Sequence, residues 1–208
     1  MKYIFIINGR EGRRQAIDAD LERQLQGLDI EFSVYHTVGI GDGIRYVRIY
    51  CDLHRDEEVC FVACGGSGTL NETMSGIVGF KKKSLAFLAY GSTNDFTKYY
   101  PDHDFTSLQK ILDGQTVRID VIKANNSYAM NVINIGFDSF VAGSGIYYID
   151  SGMDGAKAYR RSLLECILFK RRNAIRVIAD GEALNKRNML QCTLTFTDIP
   201  EGSFWGSS

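Results

Sequence analysis

The sequence predicts an α/β chain whose first half carries a mostly parallel sheet and whose second half turns antiparallel. Across residues 1–100, short apolar runs alternate four times with segments of helical spacing, the pattern of a sheet built from strand–helix–strand units. Each of these runs ends in a polar turn, three of them containing glycine. Beyond about residue 100 two strand-like runs are joined by Asn125-Asn126 alone, which is a hairpin and not a crossover. Two domains follow, 1–100 and 101–208, with a junction near residues 97–115.

Taken in order, Tyr3 to Ile7 is a strand ending in the turn Asn8-Gly9-Arg10-Glu11-Gly12, and Arg13 to Leu25 is a helix with Ala16, Ile17, Leu21 and Leu25 on one side. A second strand alternates through Ile30, Phe32 and Val34 and stops near His36-Thr37. Gly39 to Gly43 is a loop, and Ile44, Val47, Cys51 and Leu53 mark a helix. Val59 to Ala63 is continuous and rich in strand formers, as in a strand buried on both faces. A further helix follows, and then a fourth strand, Leu85 to Tyr90. In such sheets ligands bind beyond the carboxyl ends of the strands, so the turns at Asn8, Thr37, Gly65 and Gly91 are expected along one edge. In the second half, Thr116 to Lys123 and Tyr128 to Phe137 form the hairpin, Ala156 to Phe169 a helix, and Ala174 to Ala179 and Leu190 to Phe196 further strands.

Between the third and fourth strands lies Cys64-Gly65-Gly66-Ser67-Gly68-Thr69-Leu70-Asn71-Glu72. Glycines here allow unusual dihedrals and let a ligand approach the backbone amides, while the following helix directs free N–H groups and its positive dipole end at the same spot. Thr69 and Glu72 have the spacing of a capping box, and Lys81, Lys82 and Lys83 sit where a helix C-terminus favours cations. Taken alone, the stretch reads either as a phosphate cradle or as a plain strand-to-helix connector.

Composition sets bounds on the partners. The chain has 208 residues, 45% hydrophobic and 24% charged, with a formal net charge of -1. That balance lacks the basic footprint of a nucleic-acid binder. No apolar run has the length to span a bilayer, and Met1 to Ile7 is too short for a signal peptide, so a cytoplasmic protein is expected. The five cysteines are odd in number and lie mostly in apolar runs. Cys60 and Cys64, four residues apart in one strand, are separated by roughly 13 Å and cannot share a tetrahedral ion, so buried thiols are expected.

No P-loop signature occurs, and no G-x-G-x-x-G follows the first strand. Gly65 to Glu72 instead resembles the GGDGTxNE motif of the diacylglycerol kinase catalytic domain, shared with sphingosine kinases and bacterial lipid kinases and more distantly with NAD kinases. Gly91-Ser92-Thr93-Asn94-Asp95-Phe96 resembles that family's GTxNDF segment, and Asn134-Ile135-Gly136-Phe137-Asp138-Ser139 its NxGxDA segment. Asn8 to Gly12 is similar to the NPxSG turn, with Gly9 in place of the proline.

The resemblance implies an α/β nucleotide domain followed by an antiparallel β-sandwich, truncated here relative to the family. It implies transfer of the ATP γ-phosphate to a lipid hydroxyl with Mg²⁺, at a membrane face where such a lipid resides, and it is compatible with a homo-oligomer. The ATP contacts it implies are Asn8, Gly9, Arg10, Glu11, Gly12, Thr37, Gly65, Gly66, Ser67, Gly68, Thr69, Leu70, Asn71 and Thr93. A surrounding polar network would hold Glu72, Asn94, Asp95, Asp120 and Asp138, with an indirect role toward magnesium for Asp95 and Asp120.

Two departures bear on the chemistry. Ser67 stands where the family has aspartate and supplies no negative charge for a metal. The family's general base falls in a segment beyond Ser208, so no catalytic residue is named. A nucleotide-binding module without turnover, and a kinase with a soluble acceptor, are therefore alternatives. Several candidates also carry plainer roles: Asp95 as a helix cap, Asp120 as a solvated strand residue, Asp138 as a turn residue. His36, His54 and His103 show no triad partner in the sequence. The basic clusters Tyr159-Arg160-Arg161 and Lys170-Arg171-Arg172 fit a solvated helix face or an anionic lipid surface.

Overall fold

A computed structural model of the chain describes residues 1–8, 11–91, 94–169, 176–183 and 191–195. Its first four strands are β1 (Lys2–Ile7), β2 (Phe32–His36), β3 (Val59–Gly65) and β4 (Lys83–Ala89), separated by helices α1 (Glu11–Leu25), α2 (Asp42–Leu53) and α3 (Ser67–Ile77). They form one sheet in the order β2-β1-β3-β4, with every pairing parallel. A 3-10 turn (Asp95–Tyr99) and a short helix α4 (Leu108–Leu112) follow β4.

The period-2 alternation of the strands sends successive side chains to opposite faces. Phe5, Ile7, Val62, Cys64 and Leu88 pack beneath Ile17 and Leu21 of α1 and Leu108 of α4. On the other face, Ile4, Ile6, Val59 and Phe61 pack on Val47 and Cys51 of α2, while Ala63 and Phe87 pack on Leu70 and Met74 of α3. Covered on both sides, β3 is buried at all seven positions, the reason its sequence is continuously apolar. Cys51, Cys60, Cys64 and Cys166 are buried free thiols.

The described residues fall into two compact units that divide between Asn131 and Val132. The composition shift near residue 100 lies well before that point, because the hairpin of β5 (Ile122–Ala124) and β6 (Ser127–Ala129) belongs to the first unit. Asn125, at φ 53°, makes its turn. In the second unit β7 (Val132–Gly136) leads into helices α5 (Phe137–Asp150) and α6 (Gly155–Phe169), and then β8 (Ile178–Ala179), β9 (Glu182–Ala183) and β10 (Gln191–Thr195). Its strands pair antiparallel, β10 with β7 and β8 with β9. Asp180 and Gly181, both at positive φ, turn β8 into β9.

Several expected elements differ. Residues 115–121 carry no regular structure, so Asp120 is an exposed residue of an irregular segment and not a strand residue. The run expected from Tyr128 to Phe137 is interrupted at Met130 and Asn131, where the chain passes between the units. Helix α5 was not expected at all. Its start is built by Gly136, whose φ of 104° is open to glycine, and by Ser139, whose Oγ accepts from Gly136 N–H at 3.0 Å and donates to Gly136 O at 2.9 Å. Lys81 to Lys83 do not close α3, which ends at Ile77; Lys83 opens β4, and its ammonium donates to His54 O at 2.8 Å just past the end of α2.

Candidate functional site

The register aligns Ile7 with His36 and Cys64, and Gly65 with Ala89, so the turns after β1, β2, β3 and β4 share one edge of the sheet. At the centre is the junction of β3 and α3. The helix is capped by Gly66 in extended backbone, φ −104° and ψ −170°, with no side-chain cap, and its first intrahelical bond runs from Leu70 N–H to Gly66 O at 3.1 Å. The capping box expected from Thr69 and Glu72 is therefore absent. Thr69 lies in the third helical position, three residues past the cap, and its side chain folds back over Gly65. The amides of Gly68 and Thr69 have no acceptor within the helix and sit at its positive end.

None of Gly65, Gly66 and Gly68 has positive φ, so unusual dihedrals do not explain these glycines. Space explains one of them. A Cβ at Gly65 would stand 2.3 Å from Thr69 Oγ1 and 2.9 Å from Thr69 Cβ. A Cβ at Gly66 would make only an ordinary 3.5 Å contact, with Gly91 Cα, and one at Gly68 would meet nothing within 4 Å. Gly68 thus has no role in packing, although glycine in a helix costs roughly 1 kcal/mol against alanine.

Hydrogen bonds tie the four turns together. Tyr90 and Gly91 N–H both donate to Gly65 O, at 2.8 and 2.9 Å. A Cβ at Gly91 would stand 2.6 Å from Gly66 Cα, so glycine is required there for the two turns to touch. Asn94 closes this fourth turn by donating to Gly91 O at 3.0 Å, while its buried Oδ1 has no hydrogen-bond partner among the described residues. The second turn is anchored at both ends. Thr37, itself buried, donates its N–H to Ile7 O at 2.9 Å, and its carbonyl accepts from Arg14 of α1, also at 2.9 Å. Further on, Glu72 Oε1 accepts from Gly41 N–H at 2.9 Å and Oε2 from Gly43 N–H at 3.1 Å. Asp42, buried at the first position of α2, accepts from Val38 N–H at 3.0 Å, Tyr35 OH at 2.9 Å and Arg45 Nη2 at 2.6 Å. The Arg45 guanidinium, followed by the Val38 N–H, holds the Asp42 carboxyl below its ordinary range against the opposing effect of burial.

Other expected site residues divide into three groups. Asn8, Thr37, Gly65 to Leu70 and Asn94 come together along the sheet edge; Asn8 N–H reaches Cys64 O at 3.4 Å. Asn71 faces the hairpin: its Nδ2 donates to Tyr128 O in β6 at 3.2 Å and its Oδ1 accepts from the N–H of Met130, just past β6, at 3.1 Å. Gly9, Arg10 and Thr93 lie outside the described residues, as do the side chains of Glu11 and Asp138; Glu11 and Gly12 open α1, and Asp138 falls in the first turn of α5. Asp42 and Arg14 were not anticipated. The signal for Asp42 is an acid enclosed by glycines at the mouth of a helix; for Arg14 the sequence offers none.

The described carboxylates do not assemble a magnesium site. Asp95 Oδ1 is paired with Lys98 Nζ at 2.6 Å and its side chain is 63% exposed, Asp120 is exposed in the irregular segment, and Ser67 is uncharged. No group of three metal-ligating side chains occurs among the described residues. Burial pushes the Cys64 thiol far up, so the cysteine beside the glycine turn is no nucleophile. No helix among the described residues is long and apolar enough to cross a membrane.

The sequence profile of the diacylglycerol kinase catalytic domain matches residues 2–124. Curated diacylglycerol kinases of Staphylococcus aureus strains JH9 and Newman are each 31% identical over 123 residues, 58% of this chain. The chain spans 38% of the length of those relatives. Among solved structures, a diacylglycerol kinase from Bacillus anthracis str. Sterne aligns over 72% of this chain and 53% of its own, with a TM-score of 0.50 and 21% identity. A second structure from that organism gives 0.54 at 22% identity, over 72% of this chain and 55% of its own. These two likenesses concern the fold alone. The profile match covers the whole parallel sheet and its four turns, and on it the chain belongs to the diacylglycerol kinase catalytic-domain family.

Proposed function

We propose that the chain binds ATP at the α3 N-terminus and serves transfer of its γ-phosphate to a lipid hydroxyl such as that of diacylglycerol. The observation that carries this reading is Gly68. It sits at an exposed helix start without positive φ and with open space where a Cβ would be, so its reason is sought outside the folded chain. A phosphate lying against the Gly68 and Thr69 amides accounts for it, since a methyl group there would occupy the place of the ligand.

Phosphoryl transfer asks mainly for positioning and charge neutralisation, and the four cross-linked turns supply the first. Asn8 and Gly66 to Thr69 are the proposed ATP contacts within the described residues; Thr37, Gly65 and Leu70 are buried and support the turns from inside the fold. Asn71 and Glu72 act at one remove, through the segments they hold. Magnesium enters no step here, since the described carboxylates do not converge on a place for it. A lipid acceptor would bring the protein to a membrane surface.

Calorimetric titration with ATP and transfer of labelled phosphate onto mixed lipids test the reading. Wild type is expected to bind ATP, Gly68→Ala to bind at least about tenfold more weakly with a melting temperature no lower than wild type, and lipid to become labelled. Absence of ATP binding by wild type overturns the reading. Ser67 favours a second one, a nucleotide-binding domain without turnover: binding with no labelled lipid, and labelling regained in Ser67→Asp, would select it. Labelling of NAD in place of lipid would select a soluble acceptor.

A further inference from the structure

We propose that Glu72 is a positioning residue that couples the loop after β2 to the phosphate-facing end of α3; the proposal rests on the nucleotide reading above. A glutamate at the sixth position of a helix ordinarily points to solvent or pairs with a residue one turn away. Glu72 does neither. Its two carboxylate oxygens take separate backbone N–H groups, Gly41 at 2.9 Å and Gly43 at 3.1 Å, from a segment 31 and 29 positions earlier. Charge-assisted bonds of this kind are the strong ones, and two on one carboxylate fix direction as well as distance.

The entry of the loop is fixed elsewhere, by Arg14 on Thr37 O and by Thr37 N–H on Ile7 O. Its interior is fixed by Asp42 on Val38 N–H. Glu72 fixes the exit, and it alone of these ties comes from the helix whose first turn faces the phosphate. A ligand held at Gly68 and Thr69 and reaching the exposed loop residues Val38 to Ile40 therefore meets two surfaces whose separation Glu72 sets. Untying the loop leaves the competent arrangement only partly populated, which weakens apparent affinity by that fraction.

Two variants break the tie from opposite ends. Glu72→Gln keeps the shape but turns an amide donor toward an N–H donor. Gly43→Ala keeps the charge but places a Cβ 2.8 Å from Glu72 Oε2. Both are expected to weaken ATP binding by about tenfold, to speed hydrogen exchange at residues 39–43, and to raise the KM for ATP with kcat within about twofold of wild type where transfer is measured. Far-UV circular dichroism checks that each variant is folded. Wild-type affinity in both folded variants overturns the assignment, as does unchanged exchange in the loop. Failure of wild type itself to bind ATP overturns the nucleotide reading instead, and this assignment falls with it.

Discussion

The two ends of the glycine turn are built for different purposes. At Gly65 the chain is closed: the carbonyl takes two N–H groups from Tyr90 and Gly91, Thr69 folds over the Cα, and Gly91 presses on Gly66 with no room for a Cβ. At Gly68, three residues on, nothing stands within 4 Å of the missing side chain. Glycine at the first place answers to the protein's own packing and at the second to something the protein is made to receive. A run of glycines is thus not one signal, and residue type alone does not separate its members.

Substitution can break that contrast, and the largest effect is expected at Gly91. Gly91→Ala sets a methyl group against the backbone of Gly66, which cannot swing aside; a loss near 3 kcal/mol or more in urea denaturation is expected, at the top of the range for overpacking. Gly65→Ala meets a side chain instead, so a loss of about 1–3 kcal/mol is expected. Adding Thr69→Ala removes Oγ1 and Cγ2 and should restore part of it in a double-mutant cycle; strictly additive losses would show that Thr69 is not the obstacle.

A smaller, pH-dependent effect is expected at Asp42. Its folded carboxyl lies below the ordinary value of 3.8, so the ionised form contributes stability above that pH, and the contribution is lost as pH falls through the depressed folded value. Wild type should exceed Asp42→Asn in denaturation midpoint at pH 7, with the gap narrowing below about pH 4. A gap independent of pH would remove the charge from the explanation. The smallest change in stability belongs to Gly68→Ala, which should leave it level or raise it by up to about 1 kcal/mol through helix propensity. A loss there comparable to that of Gly65→Ala would erase the distinction between the two ends.

Much of the parallel sheet was legible because its information is local. Val59 to Ala63 is apolar at every position because both faces of β3 are covered, and a fully buried strand leaves that trace in composition. Once four strands alternate with helices, parallel pairing places every strand-to-helix turn on one edge, so the grouping of Asn8, Thr37, Gly65 and Gly91 follows from connectivity. Helix α5 was missed because its start depends on the backbone of Gly136 and on Ser139 returning to it, while the preceding apolar residues belong to β7. The capping box at Thr69 failed for a related reason. The spacing is right, but β3 runs on through Cys64 and Gly65, so the helix begins at Ser67.

The sequence by itself determined the alternation of strands and helices, the edge on which the turns gather, and the family to which the glycine motif is similar, because each is written in contiguous residues. Only the tertiary structure decided what the motif's members do. Asn71 reaches Tyr128 and Met130, 57 and 59 positions away, and Glu72 reaches back to Gly41 and Gly43. Contacts of that span depend on how helices dock on the sheet, and side-chain identity carries no record of which distant backbone amide it will meet.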